Sequence, residues 1–182
     1  MTWTRFAFLA IVVFAIGHGA SRGVASGHGT PPSVRAAFTD GAGSIDDLVE
    51  AFVAALRLGD ARAIERLRIG RDEYLDVILP GSVEPGEPLQ PIDRERAGPY
   101  WWEHLSERSD LHRDDLVRIF GGRELELVDK RFAKGTKRFA NHVAHRRLLL
   151  ELRQADGETR HLQTGSVAEV NGRFKFISFV RD

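Results

Sequence analysis

Cysteine is missing altogether from this chain of 182 residues. Its absence excludes a disulfide scaffold, a thiolate nucleophile and a metal site with cysteine ligands. A surplus of charge is missing as well, because 26 lysines and arginines balance 26 aspartates and glutamates. Proteins that bind nucleic acid carry a marked positive surplus, so we expect no nucleic-acid partner. The length suits one domain with short accessory segments.

The sequence also lacks an apolar run of the roughly 20 residues that a bilayer-spanning helix needs. A shorter apolar run occupies positions 6–16, after the positive charge of Arg5 and before small residues that include Ala25. This order predicts a secretory signal peptide over residues 1–25. We therefore expect an exported protein, periplasmic or extracellular, without stable membrane insertion after cleavage. An uncleaved anchor is the alternative, and the absence of cysteine excludes a lipid-modified one.

Residues 26–43 have no hydrophobic period and are rich in glycine, proline and serine. Such a segment buries too little apolar surface to order itself, which predicts a flexible leader. A single folded domain is then expected over residues 44–182.

Helical spacing begins directly after this leader. Apolar residues recur every three or four positions over residues 45–56, which predicts an amphipathic helix. Ser44 precedes this helix as a capping residue. Two further helices are predicted from Asp60 and from Asp72, and a fourth helix, or a broken pair, is predicted to end at residue 120.

Prolines are concentrated between residues 80 and 99, where five of the seven lie. No regular element is expected to pass through prolines at this spacing, so residues 80–98 are predicted to form a proline-rich loop. A loop of this length in a compact domain is commonly either disordered or a functional lid.

The hydrophobic period changes from helical to alternating after residue 122. Four strands are predicted, over residues 125–131, 140–153, 160–170 and 173–181. Asp156-Gly157 and Asn171-Gly172 supply tight hairpins between the last three strands. Helices followed by antiparallel strands predict an α+β fold, with three to four N-terminal helices packed on a four-stranded antiparallel sheet.

The helix pair SIDDLVEAFVAALRLGDARAIERL and the closing hairpins of residues 148–182 carry a family likeness. They resemble the nuclear transport factor 2-like superfamily, which includes ketosteroid isomerase-like and polyketide cyclase-like proteins. The resemblance implies a curved sheet wrapped around the helices as a cone with an internal pocket, and a homodimer formed through the outer sheet face. Enzymes of this superfamily typically use an aspartate, or an aspartate and an arginine, inside the cone. The proline-rich loop departs from the family pattern, in which a short hairpin stands between the helices.

Polar residues that alternate in phase with leucines and phenylalanines are the candidate site residues. If the apolar face of each strand turns toward the helices, these side chains turn inward too, where burial is costly unless they are paired or hydrated. By this alternation the inward polar residues are Asp129, Arg131, His142, Arg146, Thr164, Ser166 and Ser178. The candidates for aromatic pocket walls are Tyr74, Trp101 and Trp102, and we expect one tryptophan in the core and the other at an edge.

Two functions are compatible with these residues. The first is a non-enzymatic module that binds a small ligand or a partner protein in the cone-shaped pocket. The alternative is a small isomerase, cyclase or hydratase, in which Asp129 and His142 transfer protons and an arginine holds an anionic group. A structural domain whose pocket is filled by its own side chains is a third possibility. Asp129 could instead serve only as the ion-pair partner of Arg131 or Arg146. This alternative favours the functions without catalysis, because ion-pair networks also occupy such faces.

No cofactor and no metal are expected. His142 and His145 lie three residues apart, which on a strand directs their side chains to opposite faces. His104 and His112 share one side of a helix but have no acidic residue at ligand spacing.

The predicted last strand is apolar on both faces. Ile177 and Phe179 share the face that does not contain Phe174 and Phe176, and their side chains need a cover. Exposed apolar patches mark association sites, so this strand favours a homodimer.

Overall fold

The computed structural model describes Phe38 and residues 40–180. The predicted signal peptide, residues 1–25, lies outside these residues, as does most of the predicted leader. Helices come first along the chain and antiparallel strands follow, so the predicted α+β class is confirmed. Within the described residues, no helix combines the length and the apolarity needed to span a membrane.

The first two helices, α1 and α2, span Ile45–Leu58 and Ala61–Arg66. Their caps are those that the sequence predicts. Ser44 Oγ accepts a hydrogen bond from the Asp47 N–H at 3.0 Å, and Asp60 Oδ1 accepts one from the Ala63 N–H at 2.9 Å. Gly59 ends α1 with a φ of 66°, a left-handed conformation that glycine adopts without steric cost.

Two longer helical stretches are each interrupted by a π-helical turn. The first stretch comprises α3 (Arg71–Glu73), a π turn (Tyr74–Ile78) and α4 (Leu79–Gly81). The second comprises α5 (Arg94–Ala97), a π turn (Gly98–Glu103) and α6 (His104–Phe120). Pro80 and Pro99 lie within these stretches. Proline has no N–H to donate to the carbonyl one turn earlier, and the wider π turn accommodates that carbonyl. Only residues 82–93 remain as the loop, which is shorter than the predicted 80–98.

Within the described residues, seven strands form two antiparallel sheets, whereas the sequence predicts four strands in one sheet. The first sheet has the order β1-β4-β5, with strands at Leu125–Phe132, Leu148–Gln154 and Thr159–Gln163. The second sheet has the order β2-β3-β6-β7, with strands at Thr136–Arg138, Val143–His145, Val167–Val170 and Arg173–Phe176. The predicted second strand is thus divided into β3 and β4, and the predicted third strand into β5 and β6.

A corner in the chain explains this division. Arg147 has a positive φ of 58°, which ends β3 and redirects the chain into β4. The Leu148 N–H donates to Gly165 O at 3.1 Å, and the Thr164 N–H donates to Leu148 O at 3.0 Å. These bonds carry the strand pairing from one sheet to the other, so the two sheets meet at this corner.

Two apolar clusters lie on opposite faces of the second sheet. The main core, built around Phe52, Leu150, Phe176 and Phe179, fills the space between α1, α6 and both sheets. The second core cluster lies on the other face and contains Phe38, Ile69, Val77, Ile78, Ala168 and Val170. Because Val167 contacts the main core and Ala168 the second cluster, both faces of β6 are covered by the chain itself.

The end of the predicted leader belongs to the fold. Phe38 is buried in the second core cluster. The Ala42 N–H donates to Phe174 O at 3.1 Å, and the Phe174 N–H donates to Ala42 O at 3.0 Å. These bonds add residues around Ala42 to the edge of β7, so the fold begins before Ser44, the position predicted from the sequence.

Candidate functional site

The proline-rich loop and the second π turn border an open cavity of about 750 Å³. We call it the aromatic cavity, because Tyr100 and Trp101 form one of its walls. Its lining residues are Leu79, Gln90, Pro91, Ile92, Asp93, Arg96, Ala97, Pro99, Tyr100 and Trp101. The volume and the mainly apolar lining with a few polar groups are typical of small-molecule sites.

The π turn determines where its aromatic side chains point. Tyr100 and Trp101 are 71% and 51% exposed, and their rings meet edge to face at 4.9 Å. Trp102 points the other way and packs against Tyr74 at 5.7 Å and against the second core cluster. Trp102 is thus partly buried against the interior rather than in the core, and Trp101 lies at an edge. Two exposed aromatic rings at a cavity offer large apolar contact area to a ligand.

Hydrogen bonds tie the loop to the helical stretches on both sides. The Gln90 N–H donates to Pro80 O at 2.9 Å. Asp93 Oδ1 caps α5 by accepting from the Arg96 N–H at 3.2 Å. Arg96 lines the cavity, and its guanidinium forms no ion pair with any of the residues described. These hydrogen bonds fix the frame of the cavity, and Arg96 adds a cationic residue to its wall.

Asp129 and Arg131 do not face the helices, which corrects the prediction from alternation. Leu127 pairs with Leu152, but the next pair along the strands is Asp129 with Glu151, so Val128 is an unpaired bulge residue. A single extra residue reverses the alternation beyond it. Asp129 and Arg131 are consequently exposed, as the burial of the strand shows.

His142 is buried, but its surroundings differ from those of an acid/base pair. Its Nδ1–H donates to Asn141 Oδ1 at 2.8 Å, because the Asn141 amide nitrogen already donates to Val77 O at 2.8 Å. The ring stacks on Phe139 at 4.7 Å. Burial lowers the pKa of His142 to about 4, so its imidazole is neutral at physiological pH. His142 precedes β3 of the second sheet, whereas Asp129 lies exposed on β1 of the first, so the two side chains do not form a pair.

The remaining candidates gather near the corner between the sheets. Thr164 is fully buried, and its Oγ1 finds no hydrogen-bond partner in the described part of the chain. Ser178 is also buried, and its Oγ would lie 2.7 Å from a methyl group added at Gly165. Ser166 O accepts from the Ile177 N–H at 2.8 Å, and Arg146 Nη2 donates to Lys134 O at 2.8 Å. These contacts are internal to the corner.

The corner at Arg147 also interrupts the alternation of side chains between the two faces, as the bulge at Val128 does. Ala144 lies opposite Ala168 and shares its face of the second sheet, while Leu148 contacts the main core. The two residues have the same sequence parity but lie on opposite faces. The predicted inward set is therefore divided between the faces. Among the candidates named from the sequence, Trp101 lines the aromatic cavity, and Tyr74 lies behind it against Trp102.

The apolar residues of the predicted last strand, which favour a homodimer in the sequence, are covered by other residues of the same chain. Phe179 is fully buried, with its ring stacked on Phe52 at 6.0 Å, and its N–H donates to Ser109 Oγ at 2.9 Å. Ile177 packs against the second core cluster. The apolar character of these residues therefore serves the interior, and it no longer argues for a dimer.

The described residues contain no group of three or more histidines and carboxylates placed to hold a metal ion. Sequence reasoning missed Gln90, Ile92 and Arg96 as cavity residues, because it assigned them to a loop of unspecified shape. The signal was present in the prolines, which fix the backbone, and in the adjacent aromatic residues.

No protein-family model matches the chain, and the searches of curated proteins and of solved structures also give no match. The function of this chain is therefore inferred from its own geometry.

Proposed function

We propose that the chain is an exported, non-enzymatic module that binds a small, largely apolar ligand in the aromatic cavity. The observation that carries the proposal is the pair of exposed rings, Tyr100 and Trp101, on the wall of a cavity of about 750 Å³. Aromatic side chains left in solvent expose apolar surface, and a bound ligand removes that surface from water.

The two π turns give independent support. π-helical turns are uncommon and are frequent at functional sites. One of them carries Tyr100 and Trp101, and the other ends directly before Leu79, which lines the same cavity. Tyr74 and Trp102 bring the two turns into contact.

The proposal retains the nuclear transport factor 2-like type, with a changed ligand position. Its support is the order of the elements, with helices before antiparallel strands that turn a corner around α1. In the described residues, the space between α1 and the sheets is filled by the main core. The ligand site of this proposal is therefore the aromatic cavity rather than the interior of a cone. The proton-transfer enzyme has less support, because Asp129 is exposed and apart from His142.

A fluorescence titration tests the proposal. The probe is N-phenyl-1-naphthylamine, a neutral aromatic compound whose emission rises on transfer from water to an apolar site. We expect saturable binding to the protein, and at least about tenfold weaker binding to Trp101→Ala, because the ring supplies part of the cavity wall.

The matched control is Leu58→Ala, which removes an apolar side chain that is 79% exposed at the end of α1 and lines no part of the cavity. Its affinity for the probe should equal that of the unaltered protein. The absence of saturable binding, or equal losses in Trp101→Ala and Leu58→Ala, would contradict the proposal.

A further inference from the structure

A charged pocket of about 410 Å³ lies beside the start of α3. Its deepest residues, Arg68, Glu73 and Lys175, are buried, while Asp40, Arg66 and Arg71 at its rim are exposed. No residue of this pocket lines the aromatic cavity. The pocket is therefore a separate feature of the fold.

Lys175 holds two carboxylates that differ in their environment. Its Nζ lies 2.9 Å from Glu73 Oε2 and 2.6 Å from Asp40 Oδ1. The side chains of Lys175 and Glu73 are only 7% and 10% exposed, whereas that of Asp40 is 74% exposed. Glu73 is thus the internal partner of the buried ammonium, and Asp40 approaches it from the solvent side.

The contact with Asp40 is the weaker of the two. An ion pair with a largely exposed partner contributes little, because water solvates the carboxylate equally well when the pair opens. The contact of Lys175 with Asp40 can therefore open at little cost, which leaves the solvent side of the Lys175 ammonium accessible.

Two arginines at the rim form no ion pair within the described residues, and the guanidinium of one of them, Arg71, packs against Gly98. Arg68 is paired with Glu65 and Asp110, and it has no free charge to offer a ligand. Arg66 and Arg71, in contrast, form no ion pair with any part of the chain that the structure describes. A guanidinium group binds carboxylates through two parallel hydrogen bonds, so these arginines suit a planar anion.

An apolar cavity of about 430 Å³ adjoins the charged pocket and shares Asp40, Arg66 and Lys175 with it. Its other walls include Leu48, Leu67 and Phe174. A ligand whose carboxylate lies at Lys175 therefore has room for a short apolar chain on the far side of Asp40.

We propose that these adjoining cavities bind a small carboxylate with a short apolar chain, and that its carboxylate replaces that of Asp40 on Lys175, near Arg66 and Arg71. Asp40 then acts as an internal competitor for the site. This binding is independent of the aromatic cavity and of the function proposed above.

The test is a calorimetric titration with hexanoate and with acetate at constant ionic strength. Asp40→Asn removes the competing carboxylate and keeps the size of the side chain. We expect hexanoate to bind Asp40→Asn about tenfold more tightly than the unaltered protein, because the site is then free for a larger fraction of the time. Acetate should bind at least about tenfold more weakly than hexanoate, because it has no apolar chain to bury.

A second set of variants, made in the Asp40→Asn protein, tests the arginines. Arg66→Gln with Arg71→Gln should abolish the binding of hexanoate, whereas Arg118→Gln, an exposed arginine of α6 outside both cavities, should leave it unchanged. The proposal is overturned if hexanoate does not bind saturably to Asp40→Asn or binds it no more tightly than it binds the unaltered protein. It is also overturned if acetate binds as well as hexanoate, or if Arg118→Gln weakens binding as much as the double variant does.

Discussion

Nη1 of Arg94 lies 2.5 Å from both carboxylate oxygens of Asp76, and its Nη2 lies 2.5 Å from Asp72 Oδ1. These hydrogen bonds raise the pKa of the Arg94 guanidinium and join α5 to the first helical stretch. The hydrogen bond from Gln90 to Pro80 holds the preceding loop to the same stretch. The frame of the aromatic cavity is thus held by the bridge of Arg94 together with the hydrogen bond from Gln90 to Pro80.

Replacing Arg94 with Gln should therefore loosen the loop of residues 82–93. We expect severalfold faster amide hydrogen exchange in this loop, because local opening no longer has to break the bridge to Asp76 and Asp72. Exchange measured by mass spectrometry checks this, with Arg118→Gln as the control, since Arg118 pairs only with Asp115 on the same helix in the described structure. Equal exchange of the loop in the two variants would show that the bridge does not hold it.

The buried pair of Lys175 and Glu73 should contribute strongly to stability. Glu73→Gln leaves the buried ammonium with only the exposed carboxylate of Asp40, and breaking a buried pair on one side costs about 3 kcal/mol. Urea denaturation measures the loss in the free energy of unfolding. In the control Glu126→Gln, which removes a surface pair with Arg153, the loss should stay below about 1 kcal/mol. Similar losses in the free energy of unfolding of both variants would mean that the buried pair stabilises the fold no more than a surface pair does.

His142 should make stability depend on pH. Burial lowers its pKa from 6.5 to about 4, so between these values the unfolded chain binds a proton that the folded protein does not. The free energy of unfolding therefore keeps its full value with respect to His142 above pH 6.5 and decreases as the pH falls toward 4. The loss should amount to about 3 kcal/mol, because the ring is almost fully buried and each unit of pKa shift corresponds to about 1.4 kcal/mol.

Urea denaturation from pH 4 to 7 measures this dependence. His142→Gln should lack this part of the slope, whereas His161→Gln, which changes an exposed histidine on β5, should keep it. An unchanged slope in His142→Gln would assign the pH dependence to other groups.

A side chain at Gly81 should lower the stability of the fold. A methyl group there would lie 1.7 Å from Asn141 Oδ1, the atom that accepts from His142. Gly81→Ala must displace this asparagine and is expected to cost about 2 kcal/mol in the free energy of unfolding. Gly70→Ala is the matched control, because its added methyl would meet Glu73 at an ordinary 3.8 Å. Thermal unfolding compares the two, and equal midpoints would contradict the contact.

The elements that follow from local chemistry are readable in the sequence. The N-terminal caps of α1 and α2 depend on Ser44 and Asp60, and the structure has them where the pattern predicts. The tight turns at Gly157 and Gly172, each with a positive φ, follow from the same kind of signal. Such features depend on a few neighbouring residues, which is why they can be predicted.

The orientation of the strand residues could not be predicted in the same way. The bulge at Val128 and the left-handed conformation of Arg147 each change which face the following residues occupy. Neither residue type is favoured at such a position, so pairing with distant strands must determine both. For this reason the candidate site lies at the loop rather than on the strands, and Trp101 is the one predicted site residue that lines the aromatic cavity.

The most direct test of ligand binding at the aromatic cavity compares its two neighbouring tryptophans by fluorine NMR. Trp101 is half exposed on the cavity wall, and Trp102 packs on Tyr74 behind it. With the protein labelled with 5-fluorotryptophan and titrated with N-phenyl-1-naphthylamine, we expect the Trp101 resonance to shift saturably while the Trp102 resonance moves much less. A Trp101 resonance that stays in place while the probe binds, or a lack of any saturable shift, would contradict the assignment of the ligand site to this cavity.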